Sequence, residues 1–258
     1  MKDPETELPF SAVMGHAGLK KFLTITVVEP GMGIILLKGP VNTMKGRFVR
    51  SMCSLARSLK QYEDDTSISL RSFDGGDLYR KVDRITNNYD TEYIVLPSCE
   101  TFDIAEVEDV IDYWKENDIQ GKSLILLWDE IPDHPAPSVE ADFRIDVSPV
   151  DDIEHRIEMV KREREYFRDK RGFQERFKVE EKRLIARIAN ARKALEKVNL
   201  SEALAEELRG ELRNIFEDRD ITRPYRCAYG YACAEAAYND RRWISREDLE
   251  YALGYLNR

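Results

Sequence analysis

The chain has 258 residues, 42% of them hydrophobic and 34% charged, with a formal net charge of −9. That length and apolar content can bury a sizeable core in one large domain or two smaller ones, while the acidic balance argues against nucleic acid as the main partner, because such binding rests on clustered Lys and Arg. No apolar run approaches the roughly 18 residues that a membrane span needs, and MKDPETELPF lacks a signal-peptide core, so a cytoplasmic protein with no membrane contact is expected.

Leu19, Phe22, Leu23 and Val27 share a helical face that ends before Glu29-Pro30-Gly31, which places a helix ahead of the first strand. Ile34 to Leu37 reads as that strand, a loop opens at Gly39, and Phe48, Val49 and Met52 carry a helix to about Leu59. After the polar turn Tyr62 to Thr66, Ser67 to Phe73 alternates as a second strand would, Gly75-Gly76 breaks it, and Leu78, Val82 and Ile85 restart a helix. Tyr93 to Leu96 is a third strand, followed by an amphipathic helix with Ile104, Val107, Val110, Ile111 and Trp114 on one face. Ser123 to Trp128 is a fourth strand, closed by Asp129, Glu130 and a loop holding Pro132, Pro135 and Pro137; Phe143 to Val147 is a fifth.

Strands alternating with helices imply a mainly parallel sheet with helices on both faces, so residues 1–150 are expected to form a five-stranded α/β domain. Residues 151–258 read as a second, all-helical domain. Asp151 and Asp152 start a helix in which Ile153, Ile157 and Val160 are spaced for one face. Phe177 to Val198, a helix opened by Ser201, Ala228 to Tyr238, and a capped helix from Ser245 to Leu256 follow.

The stretch GIILLKGPVNTMKGRFVRSM has the strand, loop and helix in which a phosphate-binding G-x-x-x-x-G-K-[ST] loop sits, its backbone N–H groups facing the anion. The eight positions are Gly39, Pro40, Val41, Asn42, Thr43, Met44, Lys45 and Gly46, so the first Gly and the Lys remain while Met44 replaces the second Gly and Gly46 the Mg²⁺-holding hydroxyl. Gly121-Lys122-Ser123 is no substitute, because it runs into a strand and lacks a Gly five positions earlier. The four Cys are scattered and His16, His134 and His155 are isolated, so no metal site is expected.

Taken together, LPFSAVMGH, the VVEPGMGIILLKGP run, a DDIEHRIEMVKRE helix followed by FQERF, and the AAYNDRRWISREDLEYAL ending resemble the AAA+ ATPase subunit of magnesium chelatase and its cobalt-chelatase relatives. The resemblance implies an AAA+ P-loop-type sheet followed by a helical lid, and a nucleotide site at Gly39, Asn42, Thr43, Lys45, Gly46 and Arg223, the last matching the family's sensor-2 arginine. Its active-site groups carry over poorly. Leu96, Pro97 and Ser98 stand where the family has its Walker B Asp-Glu, with Glu100 slightly beyond. Asp129 and Glu130 either are a Walker B pair or cap the sensor strand, and the strand count favours the second, with about Ile131 in place of the sensor Asn. The loop that carries the family's arginine finger, Ser138 to Asp142 here, holds no Arg; Arg144 lies inside the strand pattern.

The expectation is therefore a degenerate AAA+ subunit that binds ATP and Mg²⁺ weakly or not at all and serves as a structural or regulatory partner in a ring or chelatase-like complex. The alternative is a working ATPase driving metal insertion into a tetrapyrrole, with Asp129 and Glu130 catalytic and Thr43 replacing the lost hydroxyl.

Overall fold

A computed structural model of the chain describes residues 7–59, 67–69, 77–131, 140–217 and 219–256. The polar turn at 62–66, the second strand beyond residue 69, Gly75-Gly76 and the three prolines after Ile131 lie outside the described residues.

The α/β half runs α1 (Ala17–Val28), β1 (Gly33–Pro40), α2 (Lys45–Leu59), β2 (Ser67–Ser69), α3 (Leu78–Asn88), β3 (Tyr93–Leu96), α4 (Ile104–Glu116), β4 (Ser123–Glu130) and β5 (Phe143–Asp146). All neighbours pair parallel in the order β2-β3-β4-β1-β5. The body of the sheet is β3, β4, β1 and β5, and the three-residue β2 lies at one edge. A parallel strand covered on both faces must be apolar throughout, which is why Ile34 to Leu37 and Leu124 to Leu127 read as unbroken runs.

Alternate residues of each strand feed two separate cores. Ile34, Leu36, Leu124 and Leu126 pack with Val82, Val107, Val110 and Trp114 of α3 and α4. Ile35, Leu37, Ile125 and Leu127 pack with α1, α2 and the C-terminal helices α5 (Ile153–Arg168), α6 (Lys170–Ala194), α7 (Glu202–Phe216), α8 (Thr222–Tyr238) and α9 (Arg246–Tyr255). The helical half thus shares a core with one face of the sheet. Phe22 of α1 is its hub, with ring centroids 5.4 Å from Phe143, 5.5 Å from Tyr231 and 4.9 Å from Tyr255. Arg192 of α6 adds a polar tie, forking onto Glu92 at 2.9 and 3.0 Å and donating to the Val27 carbonyl.

Two helices start earlier than the sequence reading has them. α6 starts at Lys170, earlier than its apolar positions suggest, because Asp169 caps it by accepting from the Gly172 N–H. α8 starts at Thr222 and so takes in Arg223. The face that Ile153, Ile157 and Val160 define on α5 is turned to solvent, with 68, 49 and 52% of each residue exposed. Among the described residues no helix is long and apolar enough to cross a membrane.

Candidate functional site

Where β1 ends, Pro40 has no N–H to continue the ladder, and the chain turns through residues 41–44 into α2. Gly39 is required at this exit: at its φ of 153° a Cβ would lie 2.1 Å from the Val147 carbonyl oxygen. Asn42 and Met44 take left-handed conformations, φ 67° and 63°. Asn accepts that region readily, whereas for Met it costs roughly 1–2 kcal/mol. Met44 stands at the second glycine of the phosphate-loop pattern and takes a left-handed conformation that glycine adopts without that cost. Among the described residues, the N–H groups of Thr43, Met44, Lys45 and Gly46 donate no hydrogen bond. They are the open N-terminus of the 15-residue helix α2, the place where an anion is favoured.

Lys45 is only 3% exposed. Its ammonium donates to the Gly39 carbonyl at 2.8 Å, the Pro40 carbonyl at 2.9 Å and the Thr43 hydroxyl at 2.8 Å, and pairs with Asp129 Oδ1 at 2.8 Å. An ammonium has three N–H donors, so these acceptors saturate it. The Thr43 hydroxyl in turn donates to the Pro40 carbonyl at 3.0 Å and is buried. It is spent on the loop, and it does not stand in for the missing hydroxyl of the pattern. At Gly46, where that hydroxyl is expected, an added Cβ would face Arg50 at 3.2 Å and Leu127 at 3.8 Å. Among the described residues no group of three or more His, Cys, Asp or Glu could hold a metal ion; the carboxylate beside the loop, Asp129, is held by Lys45.

The strand order explains how Asp129 arrives here. β4 lies beside β1, and its register sets Asp129 opposite Gly39 and Glu130 opposite Pro40. The carboxylate pair therefore sits on the strand next to the loop. Glu130 turns to Lys38 at 3.3 Å, and Lys38 also pairs with Asp146 at 3.2 Å. Glu100, in a short turn after β3, accepts a hydrogen bond from the Asp129 N–H at 3.1 Å. Asp129, Lys45, Asn42 and Gly46 line a cleft of about 630 Å³ whose outer wall is Arg156, Val160 and Glu163 of α5. Arg47 closes one side through its ion pair with Glu163.

Arg223 is not part of this site. It forks onto Asp142, with Nε to Oδ1 and one terminal nitrogen to Oδ2 both at 2.6 Å, and Asp142 Oδ2 also accepts from the Ile34 N–H at 2.7 Å. Ile34 is at the start of β1 and the loop is at its end, so the strand from Ile34 to Pro40, on the order of 20 Å at about 3.3 Å per residue, lies between Arg223 and the loop. Burial and this pairing act on the arginine in opposite senses, and the pairing with Asp142 prevails, raising its pKa.

His16, isolated in the sequence, lies beside the loop. It precedes α1 at φ 44°, stands edge-on to Phe48 of α2 with centroids 5.8 Å apart, and its buried Nε2 has no hydrogen-bond partner among the described residues. Burial lowers its pKa; a backbone contact with Thr43 opposes this and the Lys45 charge adds to it. The signal available in the sequence was the Gly15-His16 pair, a left-handed turn before a helix.

No protein-family model matches the chain. It is 24% identical to a magnesium-chelatase subunit ChlI homolog of Methanocaldococcus jannaschii, over 95% of this chain and 83% of that protein. A 63-residue stretch, 24% of this chain and 18% of the relative, is 35% identical to the magnesium-chelatase 38 kDa subunit of Cereibacter sphaeroides. In structure the chain is similar to a provisionally named ATPase from Cytophaga hutchinsonii, with a TM-score of 0.61 at 15% identity over 95% of this chain and 82% of that one.

Proposed function

Starting from a chain that is magnesium-chelatase-like along nearly its whole length and has the fold of an ATPase, we propose that it is a degenerate AAA+ subunit: a body that takes its place in a ring or chelatase-like complex as a structural or regulatory partner, with little or no ATP hydrolysis of its own. In this reading residues 1–150 are the AAA+ core, with its five-stranded sheet, and 151–258 correspond to the lid. The observation that carries it is the saturated ammonium of Lys45, held by three loop oxygens and Asp129 with no donor left for a phosphate. Phosphoryl transfer draws its rate from positioning and charge stabilisation, and losing a single such group costs factors of about 10³ to 10⁵. Here the Mg²⁺-holding hydroxyl is replaced by Gly46, Thr43 is turned inward, and Arg223 is committed to Asp142.

A second reading, a working ATPase that drives metal insertion, draws on the loop backbone, whose open N–H groups and left-handed Met44 preserve a phosphate cradle. Calorimetric titration with ATP and ADP, with and without Mg²⁺, followed by steady-state hydrolysis, separates the two. The degenerate reading expects no saturable binding below millimolar nucleotide and phosphate release equal to that of Lys45→Ala. Mg²⁺-dependent turnover that Lys45→Ala abolishes would overturn it.

A further inference from the structure

Resting on the degenerate reading, we infer that Asp129 is an internal substitute for the phosphate: its carboxylate neutralises the Lys45 charge in place of an oxygen-rich polyanion, and its release leaves that charge at the loop for one to take up. Lys45 faces four oxygen acceptors with three donors. Three of the four belong to the loop and fix its shape. Asp129 alone reaches across from the neighbouring strand, and it is the one acceptor that can leave without unmaking the turn.

Its surroundings favour such an exchange. The Asp129 side chain is 33% exposed on the cleft, against 3% for Lys45. Its backbone N–H is pinned by Glu100, so release needs a side-chain rotation and no movement of β4. With the carboxylate swung out, the Lys45 ammonium keeps its three donors on the loop oxygens and its charge is left uncompensated; Arg50 and Arg156, with Glu163, line the same cleft, as do Thr43 to Gly46 with their open N–H groups. A carboxylate left in place would repel an arriving phosphate at a separation of a few ångströms, which is where like charges inhibit binding most strongly.

The exchange predicts an inverted response to mutation. Asp129→Asn keeps the shape and removes the charge, and Asp129→Ala removes both; each is expected to bind inorganic tripolyphosphate at least about tenfold more tightly than the wild type. The gain needs no Mg²⁺, since Gly46 offers the metal no hydroxyl, and it disappears in the double variant Asp129→Asn, Lys45→Ala. Asp129→Glu keeps the charge and gains nothing. Isothermal titration of the full chain with tripolyphosphate in Mg²⁺-free buffer reads all four, with a thermal melt of each variant to establish folding. Folded Asn and Ala variants that bind no better than the wild type would sink the inference, as would wild-type binding that Asp129→Asn abolishes. The reading it rests on fails separately, through wild-type Mg²⁺-dependent ATP turnover; an inert wild type beside an equally inert Asp129→Asn removes the inference alone.

Discussion

At each end of β1 an aspartate from an adjoining segment grips a buried cation, and the two pairs are built differently. At the entrance, Arg223 and Asp142 meet fork to fork, 20 and 7% exposed, with the Ile34 N–H completing the carboxylate. Gly33, at φ 83°, makes room for Asp142, since a Cβ there would lie 2.3 Å from its oxygen. At the exit, Lys45 meets a single oxygen of Asp129, which remains a third exposed on a cleft. The planar guanidinium has its geometry satisfied by one partner and locks α8 to the sheet. The ammonium is a point charge that any oxygen can hold, so its partner is exchangeable. A cation beside a small-residue helix, read from sequence as a site residue, is thus a fastener here, whereas Lys45, the site cation in the proposed reading, has a partly exposed partner on an open cleft.

The sharpest way to break this contrast is Arg223→Ala. It leaves Asp142 buried with one remaining donor, so a loss of about 3 kcal/mol is expected, against about 1.5 kcal/mol for Asp129→Asn, where the buried Lys45 keeps its three loop oxygens and loses one partly exposed charged partner. Chemical denaturation of both variants measures the difference, and equal losses would erase the distinction between fastener and site. Next in size is Gly39→Ala. The added methyl meets the Val147 carbonyl, and a cost of about 2 kcal/mol is expected from displacing β1 against the segment after β5. A denaturation midpoint equal to the wild type's would show that the exit of β1 is less constrained than its geometry indicates.

Much of this architecture was written in local patterns. The apolar runs at Ile34–Leu37, Tyr93–Leu96 and Leu124–Leu127 and the spacing of Val107, Val110 and Trp114 needed no tertiary information to identify strands and helix. The phosphate-loop positions were legible because they are contiguous. Lys45 and Asp129 are 84 positions apart in number and adjacent only because β4 lies beside β1, a relation that becomes visible once the strand order is assumed. Arg223 was misplaced for the same reason in reverse: the motif order suggested the loop end, and nothing local says that Asp142, at the entrance of β5, would claim it. The outward face of α5 escaped as well, since periodicity identifies an apolar stripe without saying what, if anything, covers it.

The remaining predictions concern the loop itself and are small. Met44→Gly removes a left-handed strain while giving up partly buried apolar contact and adding chain entropy to the unfolded state; these offset, and a change within about 1 kcal/mol is expected, a larger loss meaning that the Met44 side chain, more than the backbone step, holds the turn. The smallest effect is a pH dependence centred on His16. Burial depresses its folded pKa below 6.5, helped by the charge of Lys45 and resisted by Thr43. The unfolded chain therefore binds its proton first as pH falls, so the stabilisation is complete above 6.5 and is lost progressively as pH drops through the folded value. Thermal midpoints taken from pH 7.5 down to 5.5 should decline, and His16→Asn, which tolerates the left-handed backbone and does not titrate, should flatten that part of the profile. A slope unchanged by His16→Asn would place the titrating group elsewhere and leave His16 as packing against Phe48 alone.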